Sequence, residues 1–127
     1  MLLDADYSQI ELRLMAHFSG DEALRDAFRN GEDIHARTAS GIFDVPLDRV
    51  TPTLRSRAKA VNFGIIYGIS GFGLARNTGV SRQEAARFIE QYFARYPGVK
   101  RFMDNAARLG EQNGYTSTLM GRRRYLP

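Results

Sequence analysis

The sequence predicts a mainly α-helical domain in which strand character is confined to the two ends of the chain. Apolar residues recur at helical spacing through most of the 127 residues, and residues typical of helix caps stand before these stretches. Residues 1–6 are typical of a short strand, and residues 115–126 of a hairpin-like return. We expect the two ends to lie close together on one sheet, with the helices as an excursion between them.

The first half of the chain is predicted to hold three short helices, at residues 10–18, 21–31 and 33–43. Asp21 and Asp33 can cap the second and third of these helices. A carboxylate at this position accepts a hydrogen bond from the N–H groups that the first helical turn leaves unpaired.

The second half is predicted to hold four helices, which begin after residues 51, 73, 81 and 96. Thr51 followed by Pro52 is an N-cap residue with proline at the first helical position. Ser81 and Glu84 have the spacing of a capping box. The tail then turns back at Gly121.

Charge divides the chain into an acidic first part and a basic second part. Residues 1–50 carry ten Asp/Glu and five Arg, a balance of −5, whereas residues 51–127 carry four acids and thirteen Lys/Arg, a balance of +9. A basic segment is a candidate for contact with phosphate or nucleic acid. On charge alone, mutual neutralisation of the two halves explains the pattern equally well.

Composition also limits the class of protein. No apolar run approaches the ~20 residues that span a bilayer, and no signal-peptide pattern opens the chain. The absence of cysteine excludes disulfides and thiolate metal sites, so we expect a cytoplasmic protein without membrane contact.

Asp6 stands where the predicted strand meets the first helix. A carboxylate held rigidly at a strand end can bridge two metal ions that neutralise the reacting oxygens of a phosphoryl transfer. Magnesium fits such a site because it prefers hard oxygen ligands. The alternative is an ordinary helix-capping aspartate, and no paired acidic motif follows downstream.

Four residues of the fourth predicted helix recur at every fourth position: Arg55, Lys59, Phe63 and Tyr67. Each step turns ~400° around the helix, so the four side chains form one slowly drifting stripe. The cations near the helix start can hold a triphosphate, and the aromatic rings can lie against a sugar and a base.

The alternative is an amphipathic surface helix with its aromatic rings in the core. Val61, Ile65 and Ile66 already supply an apolar face beside the stripe. Gly64 costs a helix interior about 1 kcal/mol relative to Ala, so we interpret it as room for the close approach of a ligand or of backbone.

These motifs resemble those of the family A DNA polymerases. Residues 6–13 resemble motif A of that family, and residues 55–68 resemble motif B. Residues 16–21, 33–35 and 121–127 match as well, so the similarity is collinear over essentially the whole chain.

The resemblance implies an α+β parent protein whose palm and fingers subdomains share this chain. Residues 1–16 would be a palm segment with motif A, residues 17–113 the fingers, and residues 114–127 a return segment toward the palm. The nucleotide-binding helix would lie at about residues 52–67.

The resemblance also implies the reacting groups. Asp6 and Lys59 would be catalytic, and Asp6 with the carbonyl of Tyr7 would bind two Mg²⁺ ions. The family's second metal-binding carboxylate would lie outside this chain, so we expect the isolated chain to be an inactive segment.

Nucleotide binding is implied for Gln9, Glu11, His35, Arg55, Lys59, Phe63 and Tyr67. Glu11 would sit under the sugar 2′ position with Tyr67 as its hydrogen-bond partner, and Phe63 would pack on the sugar and discriminate against sugars that lack the 3′-hydroxyl. A lone histidine such as His35 is otherwise typical of a capping or surface position.

DNA contact is implied for Tyr67, Arg122, Arg123 and Arg124, with Gln9 as a further candidate. A solvated turn is the alternative for the arginine run. The partners would be primer–template DNA and deoxynucleoside triphosphates, and the parent would be a monomer in the cytoplasm of a bacterial or phage-infected cell.

The function that follows is a fragment of a DNA-directed DNA polymerase. The parent enzyme would add deoxynucleotides to a primer 3′-hydroxyl by two-metal phosphoryl transfer. A non-catalytic nucleotide or nucleic-acid binding module is the alternative, although it would not need Asp6, Glu11 and Tyr67 together.

Overall fold

A computed structural model describes residues 1–7 and 9–127 of the chain. Within them, the α-helices are α1 (Ile10–Ser19), α2 (Glu22–Arg29), α3 (Ile34–Phe43), α4 (Pro52–Ile66), α5 (Gly71–Thr78), α6 (Arg82–Arg95) and α7 (Pro97–Asn113). A 3₁₀ turn at Leu47–Arg49 precedes α4, and strands β1 (Tyr115–Ser117) and β2 (Arg123–Tyr125) follow α7. The predicted mainly α-helical fold is therefore confirmed.

The helices with a predicted capping residue begin where that residue predicted them, whereas α5 begins at Gly71 and not after residue 73. Asp33 accepts hydrogen bonds from the backbone N–H groups of His35 and Ala36 at 3.1 Å. Thr51 accepts from Leu54 N–H at 3.2 Å, and Ser81 takes part in a complete capping box. Each such cap is worth about 1 kcal/mol, which explains why these boundaries could be located from local sequence.

Asp21 caps two helices at once. Its Oδ1 accepts from Leu24 N–H at 3.0 Å at the start of α2, and its Oδ2 accepts from Gly98 N–H at 2.9 Å at the start of α7. A Cβ on Gly98 would lie 2.9 Å from the Asp21 Cα, so the approach of the two helices requires glycine there. This buried carboxylate fixes α7 against α2.

One hydrophobic core joins all seven helices of the described chain. Its fully buried large apolar and aromatic side chains are Leu12, Leu24, Ile34, Val61, Leu74, Tyr92, Tyr96 and Val99. α4 packs along α3 and also contacts α1, α5 and α6. The α3–α4 pair is thereby supported from several sides.

The two ends of the chain do not share a sheet. β1 and β2 pair antiparallel with Tyr115 opposite Tyr125, as expected of a hairpin-like return. The strand predicted at residues 1–6 is wrong for this chain: residues 1–7 form no strand and are exposed. A strand requires a hydrogen-bonding neighbour, and among residues 1–7 and 9–127 β1 and β2 pair only with each other.

No helix in the described part of the chain has both the length and the apolar character to cross a membrane.

Candidate functional site

The predicted stripe lies along one side of α4, away from the core. Ala58, Val61 and Ile65 bury the opposite side of the helix. Lys59 is exposed, and Tyr67, the residue that ends the helix, is 70% exposed. The aromatic end of the stripe is therefore not the core face of an amphipathic helix.

Phe63 occupies an intermediate position on this stripe. It is half-buried but does not belong to the hydrophobic core or to the apolar residues packed against it. Its ring lies against the ring of His35, with 5.7 Å between centroids and an angle of 47° between planes. A residue of α3 thus joins the face that α4 presents.

Asp33 links the start of α3 to Arg55 on α4. Its Oδ1 caps α3, while its Oδ2 accepts a hydrogen bond of 2.8 Å from Arg55 Nε. This hydrogen bond is the main reason why the pKa of the Asp33 carboxyl lies below its usual value. Arg55 is held by Nε, and its two Nη groups have no partner among residues 1–7 and 9–127.

His35 is 3% exposed, near the start of α3. Burial lowers its pKa most, the positive charges of Arg55 and Lys59 lower it further, and Asp33 opposes them. This lowering of the pKa favours the neutral imidazole near pH 7. The alternative of an ordinary surface histidine does not describe this residue.

A groove of about 470 Å³ opens at the cationic end of the stripe. It is lined by Asp33, Ala36, Leu47, Val50, Thr51, Pro52, Arg55, Ser56 and Lys59. Two cations and the N-terminal end of α4 face the same space, and both favour an anionic ligand. The cations and rings of the stripe together suit a ligand with a phosphate end and a planar end.

Gly64 has a different role from the one that the sequence predicted. The position of its missing Cβ is filled by the side chain of Ile69, which comes back from the turn after α4, and Leu74 lies 3.9 Å away. The glycine makes room for packing within the chain, so it does not open a path for a ligand toward Phe63.

The N-terminal site residues are not gathered into a metal centre. Asp6 and Tyr7 lie in the exposed segment before α1. Gln9, in the left-handed conformation with φ 53°, stands at the N-cap of α1, so Asp6 is not the helix-capping aspartate of the alternative interpretation. In the described ranges, no three His, Cys, Asp or Glu side chains are grouped to hold a metal ion.

Glu11 is exposed in the first turn of α1. No hydrogen bond between its side chain and Tyr67 occurs within the described residues. The pairing of these two side chains, which the resemblance implies, therefore stays a prediction.

The arginine run lies on the terminal hairpin. Arg122 is in the turn, and Arg123 and Arg124 belong to β2, with all three exposed. The guanidinium of Arg123 lies 4.4 Å from the ring centroid of Tyr115, so this arginine also stabilises the hairpin.

Sequence reasoning missed a buried polar group behind His35. Asn62 Nδ2 lies 2.9 Å from His35 Nδ1, Thr38 Oγ1 lies 3.1 Å from Asn62 Oδ1, and Tyr96 Oη lies 3.2 Å from Thr38 Oγ1. The sequence did contain one sign of this group, a polar residue on an apolar helix face. Asn62 follows Val61 directly and lies about one turn before Ile65.

The fold and the site define a helical domain in which two packed helices present cations, aromatic rings and a neutral histidine on one face. Comparisons with known proteins identify the family. The profile of DNA polymerase family A matches residues 1–127. The chain therefore belongs to DNA polymerase family A.

Its relatives include DNA polymerase I of Bacillus caldotenax, which is 58% identical over 127 residues, and that of Pseudomonas aeruginosa, 54% identical over 126 residues. These matches cover 100% and 99% of this chain but 14% of each relative.

A solved structure, the POL domain of Pol1 from M. smegmatis in complex with DNA primer-template and dNTP, superposes with a TM-score of 0.89 at 51% identity. The match covers 96% of this chain and 22% of that one.

Proposed function

We propose that this chain forms the nucleotide-binding part of a DNA-directed DNA polymerase. The observation that carries the proposal is the convergence of Arg55, Lys59, His35 and Phe63 on one face of the α3–α4 pair. Further support comes from the similar POL domain, which was solved with DNA primer-template and dNTP.

In this function, residues 17–113 are the fingers subdomain, and residues 1–16 and 114–127 are palm segments. Arg55, Lys59 and His35 hold the triphosphate of the incoming nucleotide, and Phe63 packs on its sugar. Tyr67 borders the template base, while Glu11 excludes a 2′-hydroxyl. Gln9 contacts the nucleotide or the primer–template.

Arg122, Arg123 and Arg124 bind the primer–template through phosphate contacts. Their exposure on the hairpin leaves them accessible to a backbone, and guanidinium groups suit bidentate phosphate contacts.

Asp6 and Tyr7 fit magnesium in their chemistry, because a carboxylate and a carbonyl are both hard oxygen donors. Both residues are exposed, so their oxygens are available to an ion. When bound, two Mg²⁺ ions neutralise the attacking and leaving oxygens. One carboxylate does not hold two ions alone, so the remaining ligands come from other parts of the polymerase.

The reaction joins the primer 3′-oxygen to the α-phosphorus of the nucleotide and breaks the bond to the bridging oxygen, with release of pyrophosphate. For this chain's residues, the task is to bind and orient the triphosphate; Lys59 also offsets charge on it. A monomeric polymerase in the bacterial cytoplasm is part of the same proposal, and the bacterial origin of the relatives supports it.

The test places this chain in a working polymerase. The corresponding segment of B. caldotenax DNA polymerase I, 58% identical over 127 residues, is replaced by this chain, and primer extension is measured. We expect extension by the chimera and none by the isolated chain. Extension by the isolated chain would contradict the expectation that essential parts lie elsewhere.

Lys59→Ala in the chimera should weaken nucleotide use by about 10-fold to 100-fold, the value of a hydrogen bond to a charged group, with primer–template affinity unchanged. Lys100→Ala is the matched control: it removes the chain's other lysine, an exposed residue on α7 paired with Asp104. Equal loss of nucleotide and DNA binding would contradict the role of Lys59. Salt-dependent DNA binding without any nucleotide dependence would instead favour a non-catalytic binding module.

A further inference from the structure

A buried chain of hydrogen bonds runs from the end of α6 to His35. It contains four side chains, His35, Thr38, Asn62 and Tyr96, of which the last three are fully buried. The donor–acceptor distances along it are 3.2, 3.1 and 2.9 Å. We name this set the α3 relay.

With Asn62 Oδ1 facing Thr38, the number of protons on each group sets the direction of the α3 relay. Thr38 has one hydroxyl proton, which it donates to Asn62 Oδ1, an atom that can only accept. Tyr96 must therefore donate to Thr38 Oγ1. The amide of Asn62, held by its oxygen, donates through Nδ2 to His35 Nδ1.

The opposite direction is disfavoured at Tyr96. It would require Asn62 to exchange its oxygen and nitrogen, and Thr38 to donate to Tyr96 Oη. The phenol proton would then be buried without an acceptor among residues 1–7 and 9–127. A buried donor without a partner is costly, and a phenol is a better donor than an aliphatic hydroxyl.

A lone pair on Nδ1 puts the proton of the neutral imidazole on Nε2. Among the described residues, Tyr92 Oη is the only fully buried side-chain N or O atom without a partner. His35 Nε2 also has no partner there, so it is not fully enclosed, although the residue as a whole is 3% exposed. The His35 ring packs on Phe63, which lies in the stripe between the two cations and the exposed Tyr67.

We propose that Asn62, oriented by Thr38 and Tyr96, is a positioning residue that locks His35 as its neutral Nε2–H tautomer and directs this N–H at a phosphate oxygen of the bound nucleotide. The identity of the acceptor rests on the proposed function. The tautomer itself is a property of the chain without ligand.

A neutral donor suits this position. Arg55 and Lys59 already supply two positive charges, and the positive end of the α3 dipole lies at His35. A third cation would repel both, whereas a neutral N–H adds a directed hydrogen bond to the triphosphate without adding charge. Among the described residues, the negative charge of Asp33 opposes these positive charges at His35.

The tautomer can be observed directly by NMR. The chain contains two histidines, so few imidazole signals have to be assigned. Long-range ¹H–¹⁵N correlation spectra of the labelled chain at pH 7.5 distinguish a protonated ring nitrogen from a bare one, and exposed His17 provides an internal reference. We expect His35 with bare Nδ1 and protonated Nε2. Protonated Nδ1 with bare Nε2, or a fast mixture of the two forms, would overturn the proposal without any variant.

Two tyrosines near the end of the same helix offer a matched pair of variants. Tyr96→Phe removes the donor at the start of the relay, and we expect His35 to become a tautomer mixture. Tyr92→Phe removes a hydroxyl that has no hydrogen-bond partner among the described residues, so the His35 spectrum should keep its wild-type form. If both substitutions change the His35 spectrum equally, the α3 relay is not the cause of the tautomer.

Asn62→Asp inverts the relay, because a carboxylate can only accept. We expect the Nδ1 of His35 to become protonated, with the amide shifts of the distant β1–β2 hairpin as a folding control. A bare Nδ1 in this variant would overturn the role of Asn62.

A nucleotide titration tests the acceptor. Deoxyadenosine triphosphate with Ca²⁺ should shift the Nε2 proton of His35 and slow its exchange with water. If the nucleotide perturbs Arg55 and Lys59 but leaves this proton unchanged, the hydrogen bond from His35 to phosphate is overturned, while the proposed function stands. If none of the three side chains responds, the proposed function fails, and the assigned phosphate acceptor fails with it.

Discussion

The α3–α4 face and the N-terminal segment at residues 1–7 differ in how far each is assembled within this chain. In the α3–α4 face, Arg55 is fixed by Asp33, and His35 is fixed by Asn62 and Phe63. In the N-terminal segment, Asp6 and Tyr7 are exposed and belong to no helix or strand. The proposed nucleotide contacts are thus arranged within one helix pair, whereas the proposed metal-binding residues need further ligands from outside the N-terminal segment.

Substitution of Asp6 is expected to have the largest effect and to separate the two regions most clearly. In the chimeric polymerase, Asp6→Asn should lower the rate of primer extension by about 10³-fold or more, because each loss of 1.36 kcal/mol in transition-state stabilisation costs a factor of ten and a metal ion contributes several kcal/mol. In the isolated Asp6→Asn chain, addition of nucleotide should still perturb the side chains of Arg55 and Lys59.

Asp4→Asn is the matched control, because Asp4 lies two positions earlier in the same exposed segment. It should leave extension close to wild type. If Asp4 and Asp6 substitutions reduce extension equally, the assignment of the metal-binding carboxylate to Asp6 is wrong.

Substitution of Gly64 tests how tightly the aromatic end of the stripe is packed. Gly64→Ala should lower the free energy of unfolding by about 1–3 kcal/mol, because its Cβ would overlap the Ile69 side chain and overpacking costs that much. Urea denaturation measures the change. Gly71→Ala is the control, since its Cβ would meet only ordinary contacts at 3.9 Å and beyond.

Truncation of the obstructing side chain should relieve the strain. The double variant Gly64→Ala with Ile69→Ala should lose less stability than the sum of the two single variants, because Ile69→Ala removes the Cγ2 atom that a Cβ on Gly64 would overlap. Strict additivity would contradict Ile69 as the reason for glycine at this position.

Substitution of Asp33 has the smallest expected effect. It tests whether the Asp33 carboxylate holds Arg55 in place on the α3–α4 face without a ligand. Since its pKa is lowered in the folded chain from 3.8, its stabilising contribution is present above that value and is lost as the pH falls through the folded pKa. The ion pair with Arg55 is substantially exposed, so the contribution should stay below about 1 kcal/mol.

Urea denaturation at pH 7 and at pH 3 measures this dependence. Asp33→Asn should lose the part of the acid destabilisation that Asp33 causes, while Asp104→Asn removes a comparable exposed pair on α7 and leaves Arg55 held. An unchanged pH dependence in Asp33→Asn would indicate that Arg55 is not held through this carboxylate.

The helix boundaries could be predicted from sequence because the forces that set them are local. Asp33, Thr51 and Ser81 each accept from an N–H within three residues, so sequence spacing contains the whole interaction. The alignment of Arg55, Lys59 and the two aromatic residues on one helix face followed from helical geometry in the same way.

The errors arose where distant residues decide the outcome. Residues 1–6 have a strand-like sequence, but strand formation depends on a neighbouring strand, and none pairs with them in the part of the chain that the structure describes. Gly64 was interpreted as room for a ligand or for backbone, because the return of the Ile69 side chain is invisible in a linear pattern. The contact between Thr38 and Tyr96 joins positions 58 residues apart, beyond any local spacing rule.

The double cap at Asp21 has a consequence for how the chain folds. Its hydrogen bond to Gly98 closes a loop of 77 residues, which contains α2 to α6. Closing a loop of this length costs roughly 4 kcal/mol of chain entropy. We therefore expect the helix pairs inside the loop to form before this hydrogen bond. A contact made late in folding slows unfolding far more than it speeds folding, so we expect loss of this carboxylate to raise the unfolding rate more than it lowers the folding rate.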